Sequence, residues 1–202
     1  MCNEYARTTS LEDLVAQFAD LFPELDLFAW ENDHTPNDLE GKACVRIRDT
    51  APVFRLSENR LVGTMIPWAW PGAHGKPVFN FVTENHDFAR ADRVLVFADA
   101  FFEYTTPQAP KVKLKDRHEF KLTGHHWFWM AGIVQQNGFT LLTASPGPDV
   151  APYHSRGIVP LAPREGLDWL TLARPQGEIL APPPAGYLTH RQVRKDGVDL
   201  AA

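Results

Sequence analysis

Cysteine and positive charge are both scarce in this chain. Its 202 residues include two cysteines, and 25 acidic residues outnumber 20 lysines and arginines, which gives a net charge of −5. Two cysteines cannot form the disulfide framework of a small secreted domain, and we expect no bond between Cys2 and Cys44 in a reducing cytosol. A protein dedicated to duplex DNA has a basic excess, so any nucleic-acid contact here needs a local basic patch.

Long apolar runs are also absent. The first residues lack the apolar region of a signal peptide, and no segment approaches membrane-spanning length. We therefore expect a soluble cytoplasmic protein with no membrane partner. The oligomeric state is not defined by the sequence, although a monomer is favoured. His125 and His126 are adjacent and would point to opposite sides of a strand, which makes a poor metal site, and no spacing resembles a zinc signature. We expect neither a metal nor a cofactor.

Aromatic residues and prolines are plentiful. Six tryptophans and seventeen prolines, within a chain that is 44% hydrophobic, are typical of a loop-rich fold with strands rather than of a helical bundle. The chain has no repeat and no clear domain boundary. We therefore predict a single α+β domain over 1–202, mostly strands with two or three flanking helices.

Local patterns predict the individual elements. Apolar residues recur at helical spacing over 11–22, where Ser10 would be the N-cap and Pro23 follows the last turn. The other predicted elements are a loop over 24–42, strands within 45–61, a loop over 71–77, a buried strand over 94–104 with a bend near Asp99, an alternating stretch over 111–115, a hairpin of 127–135 and 139–144 around Asn137-Gly138, a short helix over 163–172 and a loosely ordered tail over 175–202.

Cys2 has the most unusual potential chemistry. Removal of Met1 would leave an α-amine and a thiol on adjacent carbons, which titrate near pH 8 and near pH 8.5, both roughly. Such a pair can condense with an aldehyde to a Schiff base and then close a five-membered thiazolidine ring. Taken alone, however, Cys2 is more often simply the residue after the initiator.

Three further polar residues could take part in chemistry. Glu103 ends an apolar run, where burial would raise the pKa of a carboxyl group into the range of a general acid or base. His154, on a loop, is a candidate general base, and Asn80, between two phenylalanines, could hold a substrate hydroxyl. Each has an ordinary interpretation as well: a carboxylate at a strand end, a solvated histidine and a strand cap.

Two patterns could contact nucleic acid. Trp68 and Trp70 would lie on one face of an extended segment, where they could stack on unpaired bases or pack in the core. Lys111, Lys113 and Lys115 would form a basic strip suited to phosphates, or merely the solvent-facing side of a hairpin.

The order of these residues resembles that of the SRAP family, the SOS response-associated peptidases that process abasic sites. Met1-Cys2 matches the first residues of the family, and residues 93–104 match its motif Arg-Cys-Leu-x-Pro-Ala-Asp-Gly-Phe-Tyr-Glu-Trp. Weaker matches lie at 64–70, 80–84 and 154–158. The similarity runs from residue 2 to about residue 170.

The resemblance implies a bifurcated sheet with a barrel-like portion. It also implies autopeptidase removal of Met1, after which Cys2 links covalently to the aldehyde of an abasic site in single-stranded DNA. Asn80 would position the terminus and the sugar, Glu103 would shuttle protons, and His154 would assist opening of the sugar ring. The implied DNA-binding residues are Trp68, Trp70, Lys113 and Arg156.

The chain departs from the family pattern at several positions. Asn3 and Glu4 replace Gly-Arg after the cysteine, Val82 replaces the motif arginine, and Gly157-Ile158 replaces Met-Pro. The loss of two cations and the gain of an anion predict weaker DNA binding with a smaller salt dependence. Two alternatives stay open: an N-terminal-cysteine peptidase or hydrolase with a non-DNA substrate, and an inactive relative that binds nucleic acid or protein.

Overall fold

Two β-sheets, one of nine strands and one of six, form the framework of the protein. The computed structural model describes residues 2–23, 26–31, 35–36 and 40–201. The six-stranded sheet contains, in spatial order, β17 Val198–Asp199, β16 Leu188–Lys195, β11 Asp116–Leu122, β10 Ala100–Thr105, β1 Glu4–Arg7 and β3 Lys42–Arg46.

The nine-stranded sheet runs through β14 Gly157–Ile158, β13 Gly138–Ala144, β12 Phe128–Gln135, β9 Asp92–Ala98, β4 Thr50–Ser57, β5 Arg60–Pro67 and β2 Asp26–Trp30, with β15 Pro160–Leu161 on β12 and β8 Asn80–Val82 on β13. Strands β6 Trp70–Pro71 and β7 Pro77–Val78 form a separate ribbon, and the helices are α1 Leu11–Leu21, α2 Gly166–Thr171 and α3 Gln176–Ile179.

The predicted α+β class, with a bifurcated sheet and a barrel-like portion, is confirmed, because the strands curve into a half-barrel. No helix in the described part of the chain is both long and apolar enough to cross a membrane.

The chain passes from one sheet to the other at Asp99. Strand β9 belongs to the nine-stranded sheet and β10 to the six-stranded sheet, so the predicted bend is confirmed as the point where the framework divides. The Asp99 carboxylate accepts hydrogen bonds from the backbone N–H groups and the hydroxyls of Thr8 and Thr9. Its own N–H donates to the Ala6 carbonyl at 2.8 Å. Asp99 therefore fastens the end of β1, the strand that follows Cys2.

Two separate cores lie on the two faces of the nine-stranded sheet. Along β9, Leu95 and Phe97 belong to the core on the helical side, whereas Val94 and Val96 belong to the core shared with the six-stranded sheet. This explains the continuous apolar run, because a strand buried on both faces has no polar side. Cys2 is part of the second core.

Helix α1 confirms the predicted helix. The Ser10 hydroxyl accepts a hydrogen bond from the Asp13 N–H at 3.1 Å, which caps the first turn. Leu14, Phe18 and Phe22 recur on one face and are buried in the core on the helical side. The predicted short helix is confirmed too, as a 3₁₀ turn followed by α2.

The predicted hairpin forms, with its turn one residue earlier than expected. Gln135 pairs with Gly138, so the turn residues are Gln136 and Asn137, both at positive φ. Gly138 is needed for a different reason, because a Cβ there would lie 2.2 Å from the Ala69 carbonyl oxygen. This glycine thus permits a close approach of two backbone segments.

Three local predictions are wrong. Strand β2 lies inside the predicted loop 24–42, although 24–25, 32–34 and 37–39 are outside the described residues. Residues 111–115 form an irregular connection instead of an alternating strand. The tail is ordered, because β16 pairs with β11 along most of its length and completes the six-stranded sheet. For β2 and for the tail, the deciding contacts, with β5 and β11, are distant in sequence.

Replacing the carboxylate that fastens β1 should cost substantial stability. Asp99→Ala leaves the N–H groups and hydroxyls of Thr8 and Thr9 without their acceptor, and we expect a loss of about 3 kcal/mol in the free energy of unfolding. Urea denaturation measures it. Asp168→Ala, which removes a partly exposed carboxylate paired with Arg174, is the control and should cost less than about 1 kcal/mol. Equal losses in the two variants would contradict the anchoring role.

Candidate active site

Cys2 lies two residues before the start of β1, the strand between β10 and β3. The residue is 1% exposed, and its thiol donates a hydrogen bond to the Glu4 carbonyl at 3.2 Å. Burial raises the pKa of the Cys2 thiol, and the nearby carboxylate of Glu103 raises it further. The sulfur is therefore held as a neutral thiol at physiological pH.

Glu103 contacts the backbone nitrogen of Cys2. Its carboxylate, on the neighbouring strand β10, is stabilised in its charged form by the positive chain terminus and by the Cys2 backbone N–H, and the residue is 1% exposed. Burial raises the pKa of Glu103 to about 7, against the opposing effects of the positive chain terminus and of this N–H group. The nitrogen in contact with Glu103 is the one that becomes an amine when Met1 is removed.

Asn80 holds the other side of Cys2. It lies on β8, which pairs with β13 in the opposite sheet, and its side-chain NH₂ donates to the Cys2 carbonyl at 2.8 Å. The Asn80 Oδ1 atom is buried and has no hydrogen-bond partner within the described ranges. Such an acceptor is suited to a donor group from a substrate. Cys2 is thus fixed through its nitrogen by one sheet and through its carbonyl by the other.

His154 lies on the loop between β13 and β14. Its Nδ1 atom is 3.0 Å from the Arg156 backbone nitrogen, so any exchange of a proton with a substrate would use Nε2. Burial lowers the pKa of His154, and the positive charge of the chain terminus adds to the effect. The imidazole is therefore neutral at physiological pH and lies within electrostatic range of the terminus. Asn80 and Glu103 contact Cys2 directly.

Arg156 anchors this loop. Its guanidinium forms two hydrogen bonds to Glu84, at 2.6 and 2.7 Å, and a third to the Thr143 carbonyl at 2.5 Å. The hydrogen bonds from Arg156 lower the pKa of Glu84 to about 2. Because the charge of Arg156 is already paired, its contact with DNA stays a prediction.

The predicted stacking surface of Trp68 and Trp70 is wrong. Trp68 is fully buried, its indole N–H donates to the Phe79 carbonyl at 2.8 Å, and its ring stacks on Phe139. Trp70 is 5% exposed and belongs to the other core. Ala69, at a φ of 117°, turns the chain between them. Neither ring presents a face to a base.

Glu4 does not add an exposed anion. It is 6% exposed, and its carboxylate accepts hydrogen bonds from Arg117 and, at 2.8 Å, from the Tyr104 hydroxyl. Arg46 lies 3.5 Å away as a further ion-pair partner. The expectation that the charge of Glu4 repels the phosphates of bound DNA is therefore wrong, since two arginines compensate this charge.

A groove of about 570 Å³ lies beside Asn3. Four of its lining residues are cationic and one is anionic: Arg46, Lys113, Lys115 and Arg194, with Glu4. Burial lowers the pKa of His154 most, and the charge of Lys115, one of the groove residues, contributes in the same direction. The DNA contact of Lys113 stays a prediction. The sequence pattern missed Arg46 and Arg194 because they lie on strands distant from the lysines.

Comparison of the sequence with models of known families identifies the family of this chain. Residues 1–198 match the family model described as SOS response associated peptidase, SRAP. The protein belongs to this family, which associates it with the response to DNA damage. No curated protein matches the chain.

Solved structures share the fold. A phage-related protein from Bordetella bronchiseptica is 20% identical, with a TM-score of 0.70 over 96% of this chain and 95% of that one. A second protein from the same organism is 18% identical, with a TM-score of 0.68 over 96% and 100%. A protein from Bacteroides thetaiotaomicron is 14% identical, with a TM-score of 0.65 over 96% and 93%. At these identities the likeness establishes the fold alone.

Glu103 should destabilise the fold as the pH rises. Because the pKa of its carboxyl group is about 7 in the folded chain, against 4.5 for a glutamate in water, the folded chain keeps a proton that the unfolded chain releases between these limits. Glu103→Gln removes the cost of ionisation, and its stabilising effect should be about 2 to 3 kcal/mol larger at pH 8 than at pH 5. Urea denaturation at both pH values tests this.

The matched control for this measurement is Glu178→Gln, on an exposed position of α3. Its effect should stay within about 0.5 kcal/mol at both pH values. If Glu103→Gln changes stability equally at pH 5 and pH 8, the carboxyl group does not titrate in this window.

Proposed function

We propose that the chain, once Met1 is removed, forms a thiazolidine link between Cys2 and the aldehyde of an abasic site in single-stranded DNA. The observation that carries the proposal is the position of the buried Glu103 carboxylate beside the N-terminal end of the chain, where the positive terminus and the Cys2 backbone N–H both stabilise its charged form. The reacting nitrogen thereby has an acid–base group in contact before any substrate arrives.

Removal of Met1 would use the same contact. Hydrolysis of the bond before Cys2 requires a proton on the departing nitrogen. Glu103 is the group beside that nitrogen, and with a pKa of about 7 it is partly protonated at neutral pH. One carboxyl group would thus serve the processing step and the later condensation.

Imine formation comes next. His154, as a neutral base, accepts the proton of the sugar's anomeric hydroxyl and delivers it to the ring oxygen as the bond between that oxygen and the anomeric carbon breaks, which opens the ring to the aldehyde. The amine of Cys2 then attacks the aldehyde carbon, and Glu103 takes the proton that the nitrogen loses. Glu103 passes this proton to the former aldehyde oxygen, which gives the carbinolamine, and then transfers the second proton of the nitrogen to the hydroxyl group, which leaves as one water. Asn80 keeps the terminus in place throughout.

Ring closure uses the thiol. Since the pKa of the Cys2 thiol is raised, sulfur stays protonated while the amine reacts, which sets the order of the two steps. The sulfur then bonds to the imine carbon, and the thiol proton passes to the nitrogen. The whole condensation releases one water and needs no cofactor.

Single-stranded DNA is favoured as the carrier of the aldehyde by the cationic groove beside Asn3. Lys113 and Lys115 have no ion-pair partner among the residues that the structure describes, so both are available to phosphates. An N-terminal-cysteine hydrolase with a neutral small substrate would have no use for this groove.

Protein that begins with Cys2 should form a heat-stable adduct with an abasic single strand. Intact-mass measurement should give the sum of protein and DNA less one water, without any reductant. Cys2→Ser keeps the amine and lacks the thiol, so its imine should be trapped only by borohydride. Absence of an adduct from protein confirmed to begin with Cys2 would contradict the proposal and favour a non-DNA substrate.

The lysines of the groove should set part of the salt dependence of binding. With an intact single strand, which has no aldehyde for the covalent step, replacing Lys113 and Lys115 with Gln should reduce the slope of log affinity against log salt by about 0.7 for each lost phosphate contact. Fluorescence anisotropy with a labelled strand measures the slope. Lys76→Gln, outside the groove, is the control, and an unchanged slope in the double variant would remove the groove from the DNA path.

A further inference from the structure

A chain of four side chains crosses the six-stranded sheet next to the candidate site. The Thr105 hydroxyl lies 2.9 Å from Nε2 of His118, Nδ1 of His118 lies 3.0 Å from Nε2 of His190, and Nδ1 of His190 lies 3.1 Å from the Tyr153 hydroxyl. The centroids of the three rings are 4.3 to 5.2 Å apart. We refer to His118, His190 and Tyr153 as the imidazole clamp.

The clamp holds the loop that carries His154. Tyr153 precedes His154 in the chain, and its ring also packs edge-on against Phe120 of β11. On the other side of His154, Arg156 ties the same loop to the nine-stranded sheet. The loop is thus fastened to one sheet through Tyr153 and to the other through Arg156.

The clamp also lies beside Glu103. In the pairing of β10 with β11, His118 is the residue directly opposite Glu103. Cross-strand partners of this kind project to the same face of a sheet. His154 belongs to a loop of the opposite sheet, so the contact of Tyr153 with His118 and His190 is what relates the position of His154 to that of Glu103.

We propose that Tyr153, His118 and His190 are positioning residues that hold His154 in register with Glu103, and that the clamp opens when both imidazoles are protonated. The catalytic consequence rests on the function proposed above, whereas the closed clamp and its opening do not.

Proton counting explains the opening. A single proton fits in the 3.0 Å space between Nδ1 of His118 and Nε2 of His190. With both rings neutral, one donates and the other accepts. One added proton goes to an outer nitrogen and leaves the bond intact, but a second would place two N–H groups against each other. Burial lowers the pKa of both rings, so the clamp is closed at neutral pH.

The surroundings favour one proton over two. From β11, Asp116 raises the pKa of His118, in opposition to the larger effects of burial and of His190. From β10, Glu103 stands opposite His118, and from β16 the facing side chain is the uncharged Gln192. On the loop, the titratable groups are Tyr153 and His154. Asp116, whose oxygens also accept from Gln192 and the Asp196 N–H, compensates one positive charge, whereas Glu103, with a pKa of about 7, is uncharged in the acidic range of the second step.

Titration of the histidine ring resonances by NMR, in protein that begins with Cys2, tests the clamp without DNA. We expect His118 and His190 to titrate as a coupled pair, with the His154 resonances shifting at the second, more acidic step. In His190→Phe, which keeps a stacked ring, His118 should titrate once and this shift of His154 should vanish. His125→Gln, at an exposed histidine, is the control and should change none of these signals. Independent titration of the pair at ordinary values would overturn the clamp.

A kinetic measurement tests the catalytic consequence. Tyr153→Phe keeps the ring and removes its hydroxyl contact, and it should slow adduct formation about fivefold, the effect of one hydrogen bond, while non-covalent affinity for the strand changes less than about twofold. Unchanged His154 resonances together with an unchanged rate would overturn the positioning role. If the parent protein forms no adduct, the proposed function fails, and the NMR titration still decides for or against the clamp.

Discussion

The attachment of β1 through Asp99 is the constraint on which the candidate site depends. A chain terminus normally has more conformational freedom than any other segment, and ordering it costs about 1 to 2 kcal/mol of backbone entropy for each residue. Here that ordering is built into the fold, because the strand after Cys2 is paired on both sides within a sheet and its far end is bound by a buried carboxylate at the junction of both sheets. Glu103 and Asn80 then have a fixed group to act on.

The polar groups around Cys2 are arranged at the expense of stability. The Glu103 carboxyl group is 1% exposed and lies beside the buried Cys2 thiol. Burial raises the pKa of both groups, so neither ionises as readily as it would in water. Such an arrangement is unfavourable for folding and useful for transferring protons near neutral pH. The large aromatic cores on either face of the nine-stranded sheet offset this local cost.

What could be predicted from the sequence was decided by local contacts. Helix α1 has its own cap and apolar face, the turn before Gly138 is defined by residues beside it, and the polar Asp99 marks a bend within an apolar run. Trp68 and Trp70 could not be assigned from spacing, because the backbone of Ala69 turns them into different cores. Strand β16 has a charged sequence without a clear pattern. It is ordered because it pairs with β11, which lies about seventy residues earlier in the chain. The role of Glu4 likewise depends on Arg46 and Arg117, which no short window of sequence joins to it.

The buried cluster around Glu4 has an evolutionary consequence. Where the family pattern has arginine, this chain has a carboxylate with two guanidinium groups converging on it, that of Arg46 from β3 and that of Arg117 from β11. Restoring arginine at this position alone would bring three like charges together beneath the terminus. The three positions are therefore epistatic, and a path between this lineage and the family pattern has to exchange them in concert or begin with the flanking arginines.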